Sequence, residues 1–167
     1  MLTMCKSGAL RIGRMGHAQA RSVADLIAAV IEPLEYYPEP VRQHEIDKYS
    51  PARLRKRVQD DSDSVLVAIL GAEIAGFCLN HYDDRLIWLE WFGVRREFRG
   101  AGIGRALLQT LERTAPARGC HKVWCDCRTT NLTSRAVLTK AGYRNICTLT
   151  NHWYGLDFIL WEKPIVR

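Results

Sequence analysis

The fold is decided by residues 89 to 105, Leu89-Glu90-Trp91-Phe92-Gly93-Val94-Arg95-Arg96-Glu97-Phe98-Arg99-Gly100-Ala101-Gly102-Ile103-Gly104-Arg105. The first part is an apolar, strand-forming run. The second places Gly100, Gly102 and Gly104 where a helical pattern begins, marked by Ile103, Leu107, Leu108 and Leu111. Glycines at a helix start let backbone approach a ligand closely, and the unpaired first-turn amides and helix dipole favour an anion there. Arg95, Arg96, Arg99 and Arg105 add counter-charge, so the turn reads as a pyrophosphate cradle, with close helix packing as the alternative. Two other nucleotide motifs do not fit. A P-loop requires Lys and then Ser or Thr after its last glycine, where this chain has Arg105-Ala106; a dinucleotide fingerprint requires its third glycine three residues after the second.

Outward from this stretch the elements alternate. Leu10 to Ile12 is a short strand. Val23, Leu26, Ile27, Val30, Ile31 and Leu34 share one helical face, and that helix should end before Pro33 to Pro40. Residues 32 to 47 hold five acids against Arg42, a local net of −4, and are expected to form a loop with its own task. Pro51 opens a helix through Val58, with Arg53 and Arg57 on a solvated side. Strands follow at Val65 to Leu70, Gly76 to Tyr82 and Leu86 to Val94, then a helix over Gly102 to Thr114. A strand at Val123 to Arg128, a helix at Leu132 to Ala141, and strands at Tyr143 to Thr150 and Phe158 to Trp161 close the chain.

Composition bounds the function. At 167 residues, 47% hydrophobic and 25% charged, the chain is expected to be one globular domain over residues 1–167, hiding roughly 70% of the surface it exposes unfolded. Its longest apolar runs fall far short of the ~20 residues that span a bilayer, and residues 1 to 20 lack a secretory apolar segment, so a cytoplasmic protein with reduced thiols is expected. The six cysteines (Cys5, Cys78, Cys120, Cys125, Cys127, Cys147) are expected to be free, and no metal is expected: Cys120, His121, Cys125 and Cys127 supply only one close ligand pair. The net charge of +6 fits an anionic partner without choosing one.

Arg99-Gly100-Ala101-Gly102-Ile103-Gly104 resembles the Arg/Gln-x-x-Gly-x-Gly/Ala signature of the GNAT superfamily of acyl-CoA-dependent N-acetyltransferases. Asn131 through Lys140, with Gly142 and Tyr143, is similar to the family's Asn-x-x-Ala-x-x-Leu-Tyr-x-Lys-x-Gly-Phe segment, and the likeness runs from Leu10 to Trp161. It implies an α/β (α+β) GNAT fold: a central mixed, mostly antiparallel sheet flanked by helices and splayed at the strand ending at Val94. It further implies that acetyl-CoA is the cosubstrate, its pyrophosphate held by amides from Gly100 to Arg105 (Gly100, Ala101, Gly102, Ile103, Gly104, Arg105) beside Arg99. Phe92, Gly93 and Val94 would pair with the pantetheine arm, the Val94 amide polarising the thioester carbonyl. Asn131 and Ser134 would contact the cofactor, a role compatible with Asn131 as a helix N-cap.

The implied reaction is direct attack of an amine on the thioester. An aliphatic amine with a pKa of ~10.4 costs ~4.6 kcal/mol to deprotonate at neutral pH. Glu90, on a nearly all-apolar strand, is expected to share the face of Trp88, Phe92 and Val94. The pattern is similar to that of diamine acetyltransferases, which makes Glu90 the expected base or amine anchor, with a paired structural acid as the alternative. One departure from the family is Leu138, which stands where a thiolate-protonating Tyr is common; solvent, Tyr143 or Tyr154 could take that role, or the chain could bind acyl-CoA as a sensor without turnover. The acceptor pocket is expected to draw on Glu35, Tyr36 and Tyr154, an acidic and aromatic set suited to a small cationic amine. Expected partners are a small-molecule or peptide amine and a second copy of the chain, with no membrane; nucleic acid enters only under the alternative of a basic module using Arg53, Arg55, Lys56 and Arg57.

Overall fold

The computed structural model describes residues 8–165, so Cys5 lies outside the described residues. In chain order the elements are β1 (Leu10–Arg14), α1 (Ala20–Ile31), α2 (Glu39–Asp47), α3 (Pro51–Asp60), β2 (Val65–Leu70), β3 (Glu73–Asp83), β4 (Leu86–Val94), α4 (Ile103–Thr114), β5 (Lys122–Arg128), α5 (Leu132–Lys140), β6 (Arg144–Leu149) and β7 (Phe158–Pro164). The helix α2 corrects the expectation of a loop over residues 32 to 47. Pro38 precedes its first residue and Pro40 stands in its first turn, where a missing N–H costs no helical hydrogen bond. Prolines that read as breakers here mark a helix start.

The seven strands form one sheet in the order β1-β2-β3-β4-β5-β7-β6. Every neighbouring pair is antiparallel except β4 and β5, which are parallel and joined through α4. Each face carries its own core. Leu107, Leu108 and Leu111 of α4 pack with Cys78, Ile87, Leu89 and Val123 on one side. Leu26, Ile27 and Ile31 of α1 and Leu54 and Val58 of α3 pack with Val67, Phe77 and Leu79 on the other. Burying each such side chain contributes about 1.5–3 kcal/mol, which is what clamps both layers to the sheet.

Two irregularities in β4 prepare the site. Parallel pairing with β5 stops at Leu89 opposite Cys125, and past that point the two strands part. On the other edge, Asn80 of β3 pairs with Leu89 and Leu79 with Trp91, so Glu90 is an extra, unpaired residue. The bulge reverses the alternation. Ile87 and Leu89 face α4 before it, and Phe92 and Val94 face α4 after it, while Trp91 joins the α1 and α3 side. Glu90 therefore does not share a face with Phe92 and Val94, as simple period-two counting would have it, but turns towards α3.

Cys78, Cys120, Cys125 and Cys127 are buried free thiols and Cys147 is exposed and free. Among the described residues no helix is long and apolar enough to cross a membrane. The sheet is packed tightly where α4 crosses it: a Cβ on Gly76 would lie 2.9 Å from the Gly93 carbonyl oxygen. Gly76→Ala is expected to lower the unfolding free energy by about 1–3 kcal/mol in chemical denaturation. The control Gly104→Ala, whose Cβ would come no nearer than 3.7 Å to Val94, should change it by under about 0.5 kcal/mol.

Candidate active site

The parting of β4 and β5 opens a cleft of about 920 Å³ that runs from the start of α4, past the open edge of β4, to the loop between β6 and β7. At one end Gly100 (φ +82°) and Gly102 (φ +77°) sit in the left-handed region, with nothing within 4 Å of an added Cβ. Gly102 caps α4, so the amides of Ile103, Gly104 and Arg105 have no acceptor within the helix and face the cleft with their dipole behind them. Arg99 and Arg105 border the same end, and Arg99 Nε donates to the Val94 carbonyl at 3.1 Å. Ala101 and Arg96 are exposed and lie outside the lining.

Along the middle of the cleft, the Arg95 amide donates to the Ala75 carbonyl of β3 at 2.8 Å. Alternation then turns the amides of Phe92 and Val94 the opposite way, into the gap left by β5, with Gly93 between them. Asn131 forms the facing wall: its Oδ1 accepts from the Ser134 amide at 3.0 Å, capping α5, and its Nδ2 donates to the Tyr36 hydroxyl at 3.1 Å. Leu138, Cys125 and Cys127 line the floor. Tyr143 is buried in the α4-side core and does not reach the cleft, which removes it as a proton donor.

The far end is acidic and aromatic, but not through Glu35, which is exposed outside the cleft. The acids there are Glu45 and Asp126. Glu45, 6% exposed, accepts from Lys48 Nζ at 2.5 Å, from Trp91 Nε1 at 3.3 Å and from the Tyr154 hydroxyl. Asp126 accepts from Trp153 Nε1 at 2.8 Å, yet burial outweighs that bond and raises its pKa above the ordinary carboxylate value. Tyr37 bridges the set, with its ring 6.4 Å from Trp91 and 6.2 Å from Tyr154. Burial pushes the Tyr36 hydroxyl up to about 12, so it stays protonated.

Glu90 also lines the cleft, but it is held on every side. Arg57 forks its two oxygens at 2.5 and 3.2 Å, His81 Nδ1 lies 2.7 Å from Oε1, and the Tyr49 hydroxyl donates to Oε2 at 3.0 Å. Burial raises the carboxyl pKa, but the bonds from His81 and Arg57 outweigh it and bring it down to about 2. A carboxylate that holds its proton so weakly is a poor base near neutral pH. The geometry favours the paired acid over the base, and Arg57, expected on a solvated face, is its partner.

The chain is similar to known proteins. The acetyltransferase (GNAT) family matches residues 28–143. The chain belongs to the GNAT acetyltransferase family. An acetyltransferase of Pectobacterium atrosepticum is 32% identical over 97 residues, 58% of this chain and 69% of that one. Among solved structures, the PaiA N-acetyltransferase from Thermoplasma acidophilum in complex with coenzyme A superposes with a TM-score of 0.81 at 19% identity, covering 93% of this chain and 99% of that one. An N-acetyltransferase from Staphylococcus aureus gives 0.77 at 20% identity over 95% and 99%. As a GNAT protein the chain is an acetyl-CoA-dependent N-acetyltransferase, and its open glycine turn, free first-turn amides and flanking arginines fit the anionic end of that cosubstrate.

The site makes two predictions. Gly102→Asp should abolish the rise in Tm that acetyl-CoA gives the parent protein, because a carboxylate would occupy and repel the phosphate position. The pKa of Glu90 lies below its ordinary 4.5, so its ion pair contributes stability above about pH 4.5 that is lost as pH falls towards about 2. Glu90→Gln should lower stability at neutral pH by about 1–3 kcal/mol and flatten its decline over that acid range, read by denaturation at a series of pH values.

Proposed function

We propose that the protein transfers the acetyl group of acetyl-CoA to a cationic primary amine that enters the cleft from the α2 and β6–β7 side. The carrying observation is that one continuous cleft joins two ends of opposite character. The glycine turn with Arg99 and Arg105 suits phosphates, and the end with Glu45, Asp126, Tyr37, Trp91 and Tyr154 suits an ammonium ion through carboxylate pairing and ring faces. Acceptor and acyl donor would then meet beside the open amides of Phe92 and Val94.

Those amides would face the thioester carbonyl oxygen as it gains negative charge, and donors fixed in advance stabilise such charge without reorganising. The buried walls hold the two reactants together, which removes much of the entropy cost of their encounter. The departing thiolate would meet Leu138, a side chain with no proton to give, and the Tyr154 hydroxyl is engaged by Glu45, so solvent reaching the open cleft supplies the proton. With a thiol pKa of ~8.5 this step lies only ~2 kcal/mol from neutral conditions.

The test is a panel of amines incubated with acetyl-CoA and followed by thiol release. Aliphatic amines charged at neutral pH should turn over, and neutral arylamines should be poor acceptors. Turnover of arylamines alone, or no CoA release with any amine, contradicts the proposal. On an accepted amine, Glu45→Gln should raise KM about 10-fold, a loss of about 1.4 kcal/mol, with the Tm shift from acetyl-CoA unchanged.

A further inference from the structure

The ion cluster around Glu90 sits between two cavities. Behind the acceptor end, α3 and the end of β3 enclose a second groove of about 470 Å³. Three residues, Lys48, Tyr49 and His81, line both it and the cleft. Of these, Lys48 is engaged by Glu45 and Tyr49 donates its hydroxyl to Glu90. His81 is different. It contacts Glu90 through Nδ1 alone, and half of its side chain, 49%, is exposed.

We propose that His81 accepts the proton released by the acceptor amine in the cleft and discharges it to solvent through the groove behind α3, with Glu90 as its positioning residue. The proposal rests on the reading of this cleft end as the acceptor site. Glu90 is ionised and can only accept, so the imidazole presents N–H at Nδ1 and keeps the Nε2 lone pair for an incoming proton. The Arg57 fork and Tyr49 hydroxyl fix the carboxylate and, through it, the ring. Imidazole is the side chain suited to exchanging protons near neutral pH. The pinned carboxylate thus serves the reaction by orienting a base.

An ammonium acceptor loses two protons as its nitrogen forms the C–N bond and the C–S bond breaks. One ends on the CoA thiol and the other leaves to bulk water, and His81 carries the latter. The charged groups around the ring are Glu90 from β4, Arg57 from α3, and at the groove Lys48, Arg53, Lys56, Asp60 and Asp61. Lys56 is paired with Asp60, Lys48 with Glu45 and Asp61 with Arg118. Of these charged groups, Glu90 is the one in direct contact with the ring, and Arg57 is held against the same carboxylate.

The experiment measures kcat/KM against pH, on a cationic amine accepted by the wild-type enzyme, for His81→Gln, His81→Ala and Glu90→Gln. His81→Gln should lose about 10²-fold at pH 7, the loss should shrink as the pH approaches that of the free amine's titration, and the Tm shift from acetyl-CoA should persist. Added imidazole should restore part of the His81→Ala activity. In Glu90→Gln the acid limb should move to lower pH, because the ring loses its anion and keeps Arg57 nearby; a merely structural Glu90 would leave the limb in place. A wild-type enzyme that acetylates no cationic amine defeats the underlying reading and this proposal with it. Turnover by the wild type together with His81 variants of full kcat/KM across pH defeats this proposal alone, and loss of the acid limb in Asp126→Asn instead would assign the proton to Asp126.

Discussion

Parallel strands joined through a helix normally stay paired along their length, because each unpaired backbone group that is buried costs free energy. Here β4 and β5 pair over four residues each, from Leu86 opposite Lys122 to Leu89 opposite Cys125, and then separate. The separation leaves a row of backbone donors and acceptors without sheet partners beside apolar walls. It is tolerable because β4 is held from its other side by β3 and from above by α4, and because β5 has β7 as a second neighbour. A ligand with amide-like groups of its own can complete the row, and the cleft is built around that vacancy in the hydrogen-bond pattern.

Charge is distributed along the same axis. The α4 end is cationic and rich in free amides, and the α2 end contains buried carboxylates, so under the proposed function a polyanionic donor and a cationic acceptor would be sorted to opposite ends before any chemistry. Between them lies the bulge at Glu90, which turns a carboxylate off the α4 face and into the grip of Arg57, Tyr49 and His81. One inserted residue thereby sets the carboxylate beside a neighbouring imidazole instead of on the α4 face.

The sequence carried much of this. The glycine and arginine turn, the strands Val65–Leu70 and Leu86–Val94 and the helix to Thr114 were legible because periodicity and turn chemistry agreed there. The helix α2 was not, since three prolines in eight residues look like loop until one sees that Pro40 lies in a first turn. Glu90 was legible as a special residue but not in its role, because period-two counting cannot see a bulge that depends on the partner strand. Asp126 carries the same signal, a lone acid on the strand Val123 to Arg128, without a surrounding motif to single it out. Glu35 and Glu45 are indistinguishable by composition; only the fold decides that one is exposed and the other faces Trp91 and Tyr154.

The gap between β4 and β5 is the proposed seat of acetyl-CoA, and hydrogen–deuterium exchange with and without acetyl-CoA measures this directly. Protection is predicted in peptides spanning residues 91–106 and 128–135, the open edge of β4, the start of α4 and the facing wall at Asn131, with little change in β1 and β2. Protection elsewhere with residues 91–106 unaffected, or a uniform small change over the whole chain, would contradict it.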